Sequence, residues 1–250
     1  MASILDRLRR DLDVVTPEQL NRLSLLVHSD YGAGKTHFLG DALLHEKNAG
    51  GAVAYINMKG EDSDLTLAGM GLGSVAYTVG STAELKELLT ALAAQKLKAV
   101  GLDSLKLLAG LAMEEITGGG MPDKEHYRPL HWKFPRLISM FKSVADYAIA
   151  VCPSDKSVEQ LTGRTRITPD LPGRQVTEVG GYFDFVGFLQ TDIVGPGKIK
   201  RSLVLTPNNA ILTRQRRLKL IPDIDVPAGG GGWAAFKAAI QKSMEKETTK

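Results

Sequence analysis

The residues with the clearest chemical purpose lie early in the chain: Ser29-Asp30-Tyr31-Gly32-Ala33-Gly34-Lys35-Thr36. An apolar run, residues 23–27, leads into them, and a helix-forming segment follows from about His37. Glycines let consecutive backbone N–H groups turn inward around an anion. A helix N-terminus adds unsatisfied donors and partial positive charge. In that setting a lysine reaches terminal phosphates and a threonine hydroxyl holds Mg²⁺. The sequence therefore places a nucleotide's phosphates against Asp30, Tyr31, Gly32, Ala33, Gly34, Lys35, Thr36 and His37. Ser29 stands where the pattern G-x-x-x-x-G-K-[ST] has its first glycine. It bears on how tightly the turn closes more than on whether phosphate binds.

A phosphate turn of this kind needs carboxylates. Asp103 ends the apolar run 98–102, well downstream, where it can hold the Mg²⁺ shell opposite Thr36. Capping the helix that starts near Ser104 is a compatible second role. Hydrolysis also needs a group that orients the attacking water. Glu61, just beyond the apolar run 52–57, is the natural candidate, with Asp62 and Asp64 as competitors in the same polar cluster.

The elements that must position these groups alternate. Strand-like runs at 23–27, 52–57, 75–79, 98–103 and 148–152 are separated by helical stretches: 37–47, 82–95, 104–116 and 132–147. In the second helix Leu85, Leu88, Leu89 and Leu92 recur at helical spacing, and Ser81 or Thr82 can cap it. Such alternation predicts an α/β fold, a mostly parallel central sheet with helices on both faces. Ligands in these folds sit beyond the C-terminal strand ends, where the Gly-rich turn, Glu61 and Asp103 all fall. After a long excursion, 153–181, a strand at 182–190 and a C-terminal antiparallel hairpin from 200–206 and 210–214 complete the expected core.

Three regions follow: an amphipathic N-terminal helical segment over 1–22, the core over 23–227, and a Gly-rich linker with a helical tail over 228–250. Trp233, Phe236, Ala239 and Ile240 form one apolar face of that tail. It either packs back on the domain or docks a protein partner. No apolar run approaches the roughly 18–20 residues that span a bilayer. The single Cys152 excludes an intrachain disulfide, and the expectation is a reducing cytoplasm. A net charge of +3 is too small to indicate nucleic acid by itself.

Val100-Gly101-Leu102-Asp103-Ser104-Leu105 resembles the Asp-Ser Walker B segment of RecA-like recombinases. AAA+ proteins carry a glutamate where Ser104 stands. The segments 168–174 and 183–186 are also similar to small phage-encoded ATPases made of a RecA core alone and linked to single-strand annealing or recombination. The resemblance spans about residues 20–222 by order of elements. It implies a RecA-like P-loop NTPase using ATP and Mg²⁺, with Lys35, Asp103 and Glu61 as its catalytic set, in a bacterial host cytoplasm. It implies a γ-phosphate sensor at Ser154. It implies a homo-oligomer, filament or ring, in which Arg214 or Arg217 reaches the neighbouring subunit's ATP. It also implies single-stranded DNA along the loops 118–132 and 154–181, which carry Lys124, Arg128, Lys156, Arg164, Arg166 and Arg174. Two other classes fit the turn itself: a P-loop phosphotransferase acting on a small molecule, and a non-hydrolysing, nucleotide-controlled interaction or loader module.

Overall fold

A computed structural model of the chain describes residues 22–158, 163–196, 198–216 and 220–248. The N-terminal helical segment over 1–22, apart from Arg22, and Arg217 lie outside them. Ten strands join in the order β10-β8-β7-β1-β5-β4-β2-β3, with β6 on β5 and β9 on β7. These are β1 (Leu23–Ser29), β2 (Val53–Met58), β3 (Ala76–Val79), β4 (Leu97–Asp103), β5 (Ala145–Val158), β6 (Thr165–Pro169), β7 (Phe185–Gly195), β8 (Lys198–Val204), β9 (Arg214–Gln215) and β10 (Ile224–Val226). The run from β7 through β1, β5, β4 and β2 to β3 is parallel, and β6, β8, β9 and β10 add antiparallel pairs. The helices are α1 (Lys35–Asn48), α2 (Asp64–Gly69), α3 (Thr82–Ala93), α4 (Leu105–Thr117), α5 (Tyr127–Ser143), α6 (Gln175–Glu178) and α7 (Gly232–Thr248).

The central strands are buried on both faces, which is why they read as continuous apolar runs. Successive residues serve opposite layers. Leu26, Val100, Ala148, Ala150 and Cys152 pack with α3, α4 and α5 through Leu85, Leu108 and Phe134. Leu25, Val27, Ala99, Ile149 and Val151 pack with α1 and α7 through Phe38, Leu39 and Trp233. Ser81 caps α3, its hydroxyl accepting the Glu84 N–H at 3.1 Å.

Three expectations are corrected. The helix before β5 starts at Tyr127 and ends at Ser143, because Ala145 and Tyr147 pair with β4 and Tyr147 pairs with β1 as well. Two hydrogen-bonded ladders outweigh the helical spacing there. The segments 200–206 and 210–214 do not form a hairpin with each other. The observed hairpin is β7–β8, turning between Gly195 and Lys198, and β9 returns to Phe185 and Val186. The excursion 153–181 is built rather than open, since β5 runs on into an antiparallel ribbon with β6.

Of the two readings of the tail, packing back is the one observed. Trp233 and Phe236 are fully buried against α1, and Trp233 Nε1 donates to Glu46 Oε1 at 2.7 Å. Lys237 pairs with the same oxygen, and Asp41 accepts the N–H groups of Gly231 and Trp233. Among the described residues, no helix is long and apolar enough to cross a membrane.

Candidate nucleotide site

β1 delivers the chain to the sheet's C-terminal edge at Ser29, and α1 starts six residues later. The turn between them uses positive φ at Gly32 (76°) and Gly34 (101°), where a side chain is strained. Space is also short at Gly34, because a Cβ there would lie 3.3 Å from Arg201 Nε. Lys35 folds over the turn and donates to the carbonyls of Ser29 (3.2 Å) and Asp30 (2.9 Å). Burial lowers its pKa, opposed by the nearby charges of Asp103 and others. Ser29 is fully buried, and its hydroxyl donates to the Asp30 carbonyl at 3.2 Å.

The acids arrive from neighbouring strand ends. β2 and β4 are paired with Asn57 opposite Asp103, so the loop after β2 lies beside the end of β4. Thr36 Oγ1 donates to Asp103 Oδ2 at 2.8 Å. Two further hydroxyls reach that oxygen, Tyr55 at 2.7 Å and Ser63 at 3.2 Å. Glu61 Oε1 accepts the Ser104 hydroxyl at 2.5 Å. The two loops are thus stitched reciprocally: the serine beside each acid holds the other acid. Burial raises the Glu61 pKa, and the Ser104 hydroxyl pulls it back down. Lys59 lies over Gly80 near the end of β3, and Asp62 is exposed. The peptide between Asp103 and Ser104 is cis.

The donor set fits the groups the sequence implies. Thr36 and Asp103 are hard oxygen ligands a hydrogen bond apart, the chemistry Mg²⁺ takes. Lys35 and the positively curled glycine turn suit polyphosphate. Beside the turn a cavity of about 340 Å³ is walled by Phe38, Leu44, Met70 and the 226–230 segment, with His37, Asp41 and Arg201 as its polar groups.

The remaining expected residues are distributed as follows. Ser154 does not face the turn freely, because its hydroxyl donates to His28 Nδ1 at 2.8 Å. Arg214 is exposed, two strands over from β1 and level with Leu26. Lys156 pairs with Asp30 at 2.7 Å, tying the β5–β6 ribbon to the glycine turn. Arg164 and Arg166 stand exposed at the β6 end of that ribbon, and Lys124 is exposed ahead of α5. Arg128 and Arg174 come together around a cavity of about 250 Å³ with Tyr127, His131 and the buried Gln175. Tyr127 packs against Gly173, where a Cβ would meet its ring at 2.8 Å.

Sequence reasoning missed Tyr55, Ser63 and Arg201. Tyr55 carried a signal, since a hydroxyl inside a fully apolar strand must find a partner. Arg201, whose Nε donates to the Ala33 carbonyl at 2.9 Å, carried none, because its approach depends on the β7–β8 pairing. No protein-family model matches the chain, and no curated protein matches it significantly.

Proposed function

We propose that this chain is a RecA-like P-loop ATPase that binds Mg–ATP at the β1–α1 turn and acts on single-stranded DNA. The observation that carries the reading is the Thr36–Asp103 contact with Glu61 latched beside it through Ser104. Three groups chosen for metal and water chemistry lie at one place, although 67 residues separate Thr36 from Asp103. Lys35 neutralises the terminal phosphates, Thr36 and Asp103 hold Mg²⁺, and Glu61 orients the attacking water. The bound metal supplies charge neutralisation on the phosphoryl oxygens. The nucleoside occupies the cavity beside Met70 and Pro227, with Arg201 over its phosphate end.

The DNA half of the proposal rests on the convergence of Arg128, Arg174 and Tyr127 on one cavity. Two cations beside an aromatic ring suit a phosphate and an unpaired base. Oligomerisation on the strand would bring a neighbour's Arg214 or Arg217 to the ATP.

The experiment is ATP turnover and nucleotide binding by the wild type and Lys35→Ala, with and without single-stranded DNA across a salt series. Turnover by the wild type, its loss in Lys35→Ala and salt-sensitive stimulation by DNA are expected. Full nucleotide affinity and turnover in Lys35→Ala would refute the site. Turnover without stimulation or salt-sensitive DNA binding would leave an ATPase and remove the DNA partner. Transfer of the γ-phosphate to a metabolite would favour the phosphotransferase.

A further inference from the structure

Three groups meet beside the phosphate turn that the catalytic set does not use. Lys106, on the first turn of α4, places Nζ 2.5 Å from Asp170 Oδ2 and donates to the Tyr31 hydroxyl at 3.2 Å. The Tyr31 ring lies 5.5 Å from Lys35 Nζ and 5.9 Å from Lys106 Nζ, so one ring is shared by both ammonium groups. Tyr31 is itself 74% exposed and held by these contacts rather than by packing.

Each end of this chain of contacts leads somewhere. At one end, a terminal phosphate comes to Lys35 Nζ and therefore to the flank of Tyr31. At the other, Asp170 opens the turn Leu171-Pro172-Gly173, on which Tyr127 rests. Lys106, Asp170, Leu171, Pro172 and Tyr127 line a cavity of about 480 Å³. The cavity next to it, with Arg128 and Arg174, shares Tyr127 and Pro172. Lys106 thus touches Tyr31 of the glycine turn and lines the cavity that borders the one holding Arg128 and Arg174.

We propose that Lys106 senses the terminal phosphate in cis: it pairs with Asp170 when that phosphate is absent and moves onto it when ATP is bound, removing the side-chain tie on the 170–173 turn and leaving its backbone tie, the Asp170 N–H on the Pro153 carbonyl. The inference rests on the ATP reading above. The Lys106–Asp170 pair is 42% and 35% exposed, and such pairs contribute little to stability. A phosphate with more than one negative charge is the stronger partner for an ammonium than a solvated carboxylate. Asp170 and Tyr31 both favour the protonated amine of Lys106. Ser154, expected to sense the same phosphate, has its hydroxyl hydrogen committed to His28. Release of Asp170 also acts on the wall where Tyr127 sits, which gives ATP and ADP different cavity shapes.

The test uses the full chain with fluorescent ATP and ADP analogues in Mg²⁺, and hydrogen exchange of the 170–175 amides. Losing one charge-assisted contact, Lys106→Met is expected to weaken ATP binding about tenfold or more while ADP stays within about twofold. Asp170→Asn, which frees Lys106, is expected to shift the ATP-over-ADP preference in the opposite direction. In the wild type, exchange over 170–175 is faster with a non-hydrolysable ATP analogue than with ADP. In Lys106→Met the two nucleotides give the same exchange. A wild-type ATP-to-ADP ratio in Lys106→Met, or equal weakening of both nucleotides, overturns the proposal. If Lys106→Met does not fold, an unchanged preference in Asp170→Asn overturns it alone. Wild-type protein that binds neither nucleotide refutes the ATP reading and this inference together. Wild-type selectivity that survives in both variants refutes the inference only.

Discussion

His28 sits at the end of β1, one residue before the turn that starts at Ser29, and is fully buried. Leu212 offers a carbonyl, which can only accept, so Nε2–H donates to it at 2.8 Å. Nδ1 is then the acceptor for the Ser154 hydroxyl, also at 2.8 Å. The ring is neutral in this arrangement. Burial is the main cause that lowers its pKa from 6.5 to about 4, and the Lys35 charge adds to it. The Leu212 carbonyl and Asp30 oppose the shift. Because the folded pKa lies below the unfolded one, the unfolded chain takes up the proton first. The contribution is complete above pH 6.5 and is lost as pH falls from 6.5 toward 4. A drop of 6.5 − 4 = 2.5 units at 1.36 kcal/mol each amounts to about 3 kcal/mol. Urea unfolding of the wild type and His28→Gln, at several values between about pH 4 and 7, measures it. Any constant offset from the substitution cancels, because only the slopes are compared. The wild-type curve is expected to fall more steeply by about that amount, since glutamine cannot titrate. Parallel curves would refute the reasoning and with it the neutral tautomer that binds Ser154 to the end of β1.

Other substitutions test other parts of the site. Glu61 has a raised pKa, so its basic form is present only above a pH higher than for an ordinary glutamate. Turnover should therefore fall on the acid side at that raised value, and Ser104→Ala, which removes a hydrogen bond favouring the carboxylate, should move the limb further up in a pH–rate profile. Glu61→Gln should lower turnover by roughly a hundredfold or more while nucleotide affinity, read by titration, is kept. Tyr55→Phe removes one of three donors to a buried carboxylate oxygen. It should cost about 1.5–3 kcal/mol in urea unfolding and raise the Mg²⁺ concentration needed for nucleotide binding. Trp233→Ala empties a fully buried site against α1 and takes a donor from Glu46. It should destabilise the whole domain by about 3–5 kcal/mol, whereas a free docking tail would leave the unfolding midpoint unchanged.

The parts legible in the sequence are those whose information is local. The glycine turn announces itself because its residues are contiguous and its backbone needs Gly32 and Gly34 in a conformation other residues resist. β2 and β4 were readable as short apolar runs, and α3 as a leucine stripe with Ser81 before it, because burial imprints its period directly on the residues. Asp103 and Glu61 could be chosen because strand ends in a parallel sheet share one edge. What the sequence could not carry was pairing. Residues 145–147 fit a helix by spacing but became strand because β4 pairs with Ala145 and Tyr147, and β1 with Tyr147 from the other side. β8 took β7 as its partner rather than the segment that follows, and only that choice brings Arg201 across 168 residues to Ala33. Tyr55 on Asp103, Lys106 on Tyr31 and His28 on Ser154 are likewise contacts between strands and helices remote in sequence. The sequence by itself determined the glycine turn and the residue types that flank it, because backbone freedom and side-chain type are local properties. The tertiary structure alone decided what holds and surrounds them, because hydrogen-bond partners are set by which strands pair.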